Sequence, residues 1–319
     1  MSKKKSDTDI TRVPEAYRAS ELEEAAEQEG RARNANNEKG GSKRNLQYPE
    51  APDALPVAVV DNHTHLDFLD GTVKVSVPDA LAAAQAVGVK GLIQVGCDVP
   101  SSQYAVDVAN EYSNILAAVA IHPNDAARLA ERGELDNAIK SIEELASNPR
   151  VRALGETGLD YFRTAEDGRD AQEHSFREHL RIAVEQDKAV QIHDRDAHED
   201  VVRVLKSSQL PSKVVFHCFS GDEDLAKICN DNGWYMSFSG TVTFKNSHGL
   251  RAALEVAVPQ LLLVETDAPF LTPHPYRGRP NASYMIPYTA RFMAQTKGVD
   301  LVEFCTQIDA NTREVYGEF

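Results

Sequence analysis

Five of the ten histidines in this sequence, and two carboxylates with them, stand at or just past the ends of short apolar runs. His63 and His65 close AVVDNHTH, His122 closes AAVAIH, Glu156 closes VRALGE, His193 closes AVQIH, His217 closes VVFH, and Asp267 follows LLLVE. Alternate residues on a strand share a face, so His63 and His65 project together. One such pair is commonly no more than two hydrogen-bonded residues at a strand end. A set at equivalent positions in six runs is not explained that way, because unconstrained histidines would scatter over helices and loops. Neutral imidazole is the commonest protein metal ligand. Nitrogen and oxygen donors without a converging cysteine suit Zn, Mn, Fe or Ni, with Mg reachable through carboxylate and water. The set exceeds the four ligands of a tetrahedral zinc site. It fits two ions about 3.5–4 Å apart bridged by a carboxylate, an arrangement that clamps the attacking and leaving oxygens in phosphoester cleavage.

The elements that must position these residues alternate regularly. Strand-like runs lie at 58–60, 88–96, 114–121, 151–155, 188–192, 213–216, 234–239 and 260–265, with helix-period stretches between them. PDALAAAQAVG shows the punctuation, with Pro78 in a first turn and Gly88 at the stop. Eight strands alternating with helices predict parallel β/α units in the α/β class. The stretch 57–319 has the usual size, about 250 residues, of a (β/α)8 TIM barrel, whose active sites lie at the C-terminal ends of the strands.

Residues 1–50 read differently. They hold ten basic and ten acidic residues and few aromatics, and NANNEKGGSKRN cannot bury a core. They predict a disordered N-terminal tail with a transient helix near residues 18–28. The net charge of −15 therefore belongs entirely to residues 51–319. A domain that acidic is a poor non-specific binder of nucleic acid, so a phosphate-bearing substrate needs local positive charge such as bound metal. The chain lacks an apolar run of about 18 residues, which excludes a membrane-spanning helix, and its first residues have no signal-peptide core. Cys97, Cys218, Cys229 and Cys305 are scattered, which predicts reduced thiols and a cytoplasmic protein.

The segments DNHTHLD, ALGETGLDYF, QIHDRDAHED, FHCFSG and ETDAPFLTPHPYRGRPN resemble the TatD family of metal-dependent hydrolases, from about Val57 to the C-terminus. The resemblance implies a divalent-metal-dependent deoxyribonuclease with two metal ions (Mg, Mn or Zn). It assigns the first ion to His63, His65, Glu156 and Asp267, and the second to Glu156, His193 and His217, with Glu156 bridging. Asp267 would orient or deprotonate the attacking water, and His122 would contact phosphate or the transition state. The sequence departs from the family in having Ala120 where the segment before His122 has glycine. It also has Asn281, Ala282 and Ser283 where the family often has N-E-P, and it carries more than fifty residues before the first motif.

Around these residues, Arg195 and Arg277 are candidate phosphate-binding side chains. Ser220 is a candidate N-cap that opens a helix terminus to an anion. Asp160 and Tyr161 are expected to support the site. Cys218 should face away from His217 into the core. Trp234, Tyr235, Phe238 and Phe244 are read as core residues, with base stacking as the alternative. The expected substrate is DNA, attacked from an end or as a single strand. The alternative is ester hydrolysis on a D-aminoacyl-tRNA at the same metal site. Amidohydrolase or phosphotriesterase chemistry is a weaker reading, because related barrels often bridge their metals with a carboxylated lysine where this chain has Glu156. A non-catalytic protein with a relic site is disfavoured by the unbroken ligand set.

Overall fold

The computed structural model describes residues 8–18, 31–32 and 43–319. Eight parallel strands form one sheet in chain order: β1 (Val59–Thr64), β2 (Val89–Val95), β3 (Ile115–Val119), β4 (Val151–Asp160), β5 (Ala189–Arg195), β6 (Val214–Phe216), β7 (Tyr235–Phe238) and β8 (Leu262–Val264). The sheet curls into a nearly closed barrel, and helices connect the strands. They are α1 (Val77–Ala86), α2 (Val99–Glu111), α3 (Pro123–Glu131), α4 (Leu135–Ala146), α5 (Arg169–Glu185), α6 (His198–Lys206), α7 (Glu223–Asn232), α8 (His248–Val256), α9 (Ile286–Lys297) and α10 (Leu301–Tyr316). This is the expected TIM barrel.

The strands are apolar on both faces because both are covered. Val60, Ile93, Leu116, Ala153, Ala189, Val215, Tyr235 and Leu263, one from each strand, form an inner cluster. That cluster fills the barrel, and Val315 and Tyr316 of α10 pack against it. A larger cluster joins the outer strand faces to the helices. Local signals set the helix limits. Ser76 caps α1, whose exit is turned by Gly88 at φ +84°, and Asp98 and Ser101 form a reciprocal capping box at α2.

Two features of the strands matter for the site. The first is the length of β4, which continues to Asp160 rather than stopping at Gly155, so Glu156 lies inside a strand. Its register against β5 shifts between Leu154 and Thr157, where Gly155 and Glu156 together face Gln191. Such a bulge re-aims a side chain. It also requires glycine, since a Cβ at position 155 would come within 2.5 Å of the Gln191 Cβ.

The second is the seam between β8 and β1. A single bridge joins Thr64 to Ala268. Buried side chains complete it. Asn62 Nδ2 donates to Val264 O (2.8 Å), and Thr266 donates through N (2.8 Å) and Oγ1 (2.5 Å) to the Asp61 carboxylate. The Asp267 amide donates to His63 O at 2.9 Å, which places Asp267 beside the two histidines.

The tail expected over residues 1–50, including its transient helix, falls largely on residues outside the described set. The described parts, 8–18 and 43–50, differ from that expectation because they pack on the barrel. Val13, Tyr17, Arg44 and Tyr48 are buried there. Their few aromatic and apolar side chains find partners on the loops after β1 and β8, which a composition average over fifty residues hides. Among the described residues, no helix is long and apolar enough to cross a membrane.

Candidate metal centre

The structure brings together all seven residues read from the strand ends. Their mutual orientation follows from which ring nitrogen each histidine has already committed. His63 Nδ1 lies 3.1 Å from Gln191 Oε1. The Gln191 amide is fixed in that sense because its Nε2 donates to Asn62 O (3.0 Å) and to the Tyr316 hydroxyl (2.7 Å). His65 Nδ1 lies 2.9 Å from Val95 O. Both Nδ1 atoms are therefore donors, and both Nε2 atoms turn to the shared space, each with a lone pair whenever its ring is neutral. These two Nε2 atoms face each other at 3.3 Å, with Asp267 Oδ1 3.9 Å from the first and 3.5 Å from the second. Converging lone pairs and a carboxylate repel one another unless a positive charge sits among them. Burial pushes the His63 ring well below the ordinary imidazole range. At His65, Cys97 and Asp267 outweigh burial and draw positive charge to the ring.

Glu156 divides its two oxygens. Oε1 lies 3.9 Å from His65 Nε2 and 3.8 Å from His122 Nε2. Oε2 lies 3.1 Å from His193 Nδ1 and 2.9 Å from His217 Nε2. Burial raises its pKa, but His217, His122 and the hydrogen bond from His193 outweigh it and hold the carboxyl well below the usual carboxylate range. The opposite nitrogens of those two histidines also meet carboxylates. His193 Nε2 is 3.2 Å from Asp160 Oδ2, and His217 Nδ1 is 2.9 Å from Glu265 Oε1. A carboxylate behind an imidazole is the usual support of a metal-bound histidine, because it fixes the tautomer and raises ligand basicity. The donor set therefore fits divalent cations. Groups of potential ligands close enough to share an ion include His63, His65 and Glu156, and also His63, His217 and Asp267.

His122 is different in kind. It caps α3, and its Nδ1 accepts from the Asn124 amide at 3.1 Å. A neutral ring that accepts at Nδ1 carries its proton on Nε2, the atom turned toward Glu156. Burial holds the ring neutral, its pKa lowered to about 3. His122 thus presents an N–H toward Glu156, and with Glu156 and His193 it also forms a third group close enough to share an ion.

Asp160 supports the site as expected. It receives Asn124 Nδ2 (3.0 Å) and the amides of Phe162 and Arg163, and against burial its bond from His193 keeps it ionised. Tyr161 donates to Asp200 at 2.9 Å. Expectations at Ser220, Cys218 and Phe244 are corrected. The α7 N-cap is Asp222, not Ser220. The Ser220 hydroxyl donates to Asp194 O (2.8 Å), so it offers acceptor lone pairs, which suit an anion poorly. Cys218 is not a core strand residue. Strand β6 ends at Phe216, and Cys218 turns at φ +42° with Sγ 3.2 Å from Ser239 Oγ. Arg195 lies over the Phe162 ring at 4.0 Å, and Arg277 lies over Phe244 at 4.2 Å. Trp234, Tyr235 and Phe238 are buried, as the core reading expects, but Phe244 is only half-buried, with Arg277 over its ring.

Two further residues join the site, and the first corrects the expectation that no cysteine converges there. Cys97 follows β2, and its Sγ lies 3.5 Å from Glu156 Oε1. It stands at the end of the second strand-like run, so the position that flagged the histidines would also have flagged it. Glu265 is buried behind His217, and its Oε1 accepts from the Cys218 amide at 2.8 Å. Nothing in its local sequence distinguishes it from the neighbouring Asp267.

A (β/α)8 barrel with imidazoles and carboxylates converging at its strand ends defines a metal-dependent hydrolase. The chain belongs to the TatD family: residues 60–317 match the family model described as TatD related DNase. The metal-dependent hydrolase TatD of Mycobacterium tuberculosis is 38% identical over 263 residues, covering 81% of this chain and 98% of its own. YcfH of Escherichia coli K12, also a metal-dependent hydrolase, is 38% identical over 77% of this chain and 90% of its own. Among solved structures, the TatD homologue YjjV of Escherichia coli superposes with a TM-score of 0.74 at 24% identity, covering 81% of this chain and 97% of its own. A TatD family hydrolase from Entamoeba histolytica gives 0.70 at 20% identity, over 82% and 99% of the two chains. At these identities the two structures bear on the fold.

Proposed function

We propose that this hydrolase cleaves DNA phosphodiester bonds, working inward from an end and preferring single strands, with two divalent ions shared through Glu156. The observation that carries the reading is the division of the Glu156 oxygens between two sets of imidazole nitrogens. The first ion would be held by His63, His65, Glu156 and Asp267, and the second by Glu156, His193 and His217. When bound, the ions supply Lewis acidity, which brings the pKa of a water toward neutrality. Asp267, with its left-handed backbone (φ 53°) and its amide tied to His63 O, orients that water and takes up its proton. The His122 Nε2–H donates to the charge that develops on a phosphoryl oxygen; such donors are typically worth on the order of 100- to 1000-fold in rate. Arg195 and Arg277, each resting on an aromatic face, bind flanking phosphates. The same geometry needs no lysine or serine nucleophile. The acidic surface disfavours tracking along a duplex, which suits attack at a terminus.

Purified protein loaded with Mg, Mn or Zn, set against 5′- and 3′-labelled single-stranded DNA, duplex DNA and a D-aminoacyl-tRNA, tests the proposal. Chelator-sensitive shortening of single strands from one end is expected. Turnover of the tRNA ester with no cleavage of DNA under any metal would replace the nuclease reading by the deacylase reading.

A further inference from the structure

We infer that the described parts of the segment preceding the barrel, residues 8–18, 31–32 and 43–50, act as a strap that positions the loops carrying His65 and Asp267, and that Arg44 is its anchoring residue. Arg44 and Asp70 form a bidentate pair, Nη1 to Oδ1 at 2.9 Å and Nη2 to Oδ2 at 2.6 Å, with side chains only 2% and 1% exposed. Asp70 lies on the loop after β1, just beyond His65. The same guanidinium donates through Nε to Gly278 O at 3.0 Å, on the loop that follows Asp267. One side chain therefore joins both loops. The second loop reaches back. Arg279 donates to Gln47 O, to Tyr48 O and to Thr8 Oγ1, each at 2.8 Å. Tyr284 donates to Pro49 O (2.7 Å), and Tyr48 donates to Asp70 O (3.0 Å). Tyr17 packs edge-on against both Tyr48 and Tyr284, at 4.7 and 5.0 Å. Arg31–Ala32 adds a short parallel ladder to Phe68–Leu69 on the first loop.

The path from the strap to the centre is short. The Phe68 ring meets Phe270 edge-on at 5.1 Å, and Phe270 lies 6.4 Å from the His65 ring. Asn281 Nδ2 holds Thr266 O (3.0 Å) and Phe270 O (2.6 Å) on either side of Asp267. The strap precedes the region that matches the family model, which begins at residue 60. It therefore lies outside the matched region, and its Val13, Tyr17 and Tyr48 join the outer core cluster of the barrel. Bidentate, desolvated arginine–carboxylate pairs fix geometry as well as contribute energy, which is what positioning two loops requires.

The inference rests on the metal-site reading but not on DNA as substrate. The full-length chain is compared with Arg44→Met and with Arg44→Met/Asp70→Asn; the double variant avoids leaving a buried carboxylate unpaired. Amide exchange is followed by mass spectrometry in the metal-free proteins, and Mn binding is followed by calorimetry. In both variants, exchange over residues 66–71 and 276–283 should accelerate at least about tenfold while β3 and α4 keep their wild-type protection, and Mn affinity should fall about three- to tenfold. Arg44→Lys, which keeps the charge but not the fork, should fall between. Unchanged loops overturn the inference. So does acceleration spread evenly over the barrel, loop loosening with unaltered Mn affinity, or failure of both variants to fold. Neither readout uses a substrate, so the absence of DNA cleavage would leave this result standing, and the reverse also holds.

Discussion

The Nε2 atoms of His63 and His65 face each other at 3.3 Å while each ring's Nδ1 lies beside a carbonyl oxygen, on Gln191 and Val95 respectively. In the metal-free site Cys97 and Asp267 draw a proton to His65, and a divalent cation that displaces it meets both Nε2 atoms and Asp267 Oδ1. Adding Mn or Zn to metal-free protein should therefore raise the stability to unfolding, by about 2.7 kcal/mol at a free concentration 100 times Kd. The gain should vanish in His63→Ala. Calorimetric scans at stepped metal concentrations measure it; a midpoint independent of metal would mean the pair is merely structural.

Glu156→Gln keeps the size of the side chain and removes the charge that faces both sets of imidazoles. Metal stoichiometry by elemental analysis should drop and hydrolysis should collapse together. Full metal content with full activity in this variant would refute the bridging assignment.

Glu265 lies behind His217 rather than in the reaction path, with its Oε1 2.9 Å from His217 Nδ1. Glu265→Gln should weaken metal binding about 10- to 100-fold, the usual cost of removing a carboxylate behind a ligand histidine. Raising the metal concentration should restore most of the rate. An activity loss that saturating metal does not repair would place Glu265 in a different role.

His179 on α5 is fully buried, and its Nε2 accepts from the Ile121 amide at 3.1 Å, immediately before His122. Burial lowers its pKa to about 4. In the unfolded chain it titrates near the ordinary value, so above about pH 6.5 both states are neutral and its contribution is fully present. Between about pH 6.5 and 4 the unfolded state takes a proton that the native state refuses, and on the order of 3 kcal/mol of stability is lost. Urea unfolding at stepped pH should show that decline in the wild type and a shallower one in His179→Gln. Equal slopes would assign the acid sensitivity to another group.

The register of legible features follows from their range. The barrel could be read because each β/α unit carries its own local signals, from the apolar run to the cap and the stop, and the units simply repeat. The converging residues could be read because a parallel barrel sends every strand end to one rim, so a residue's place in its own unit is already its place in the site. Cys97 obeys the same rule, since it stands just past the second strand-like run and reaches Glu156. Glu265, His179 and the Gln191–Tyr316 pair could not be read this way. Each acts across the barrel on a residue far off in the chain, and buried polar side chains look locally like any other polar residue.

The sequence by itself determined the alternation of strands and helices and the identity of the donors at the strand ends, since those depend on contacts within a few residues. Only the tertiary structure decided which nitrogen the His63 and His65 rings commit, because that is set by Gln191 across the barrel on β5 and by Val95 on the adjacent β2. It likewise decided that Glu156 sits on a bulge inside β4 and shares its oxygens between two histidine sets, a result of register with β5. The fate of Arg44 was decided there too. In the sequence it is one charge in a polar stretch, and it becomes a buried anchor only because Asp70 and Gly278 come together where the first and last strands of the barrel meet.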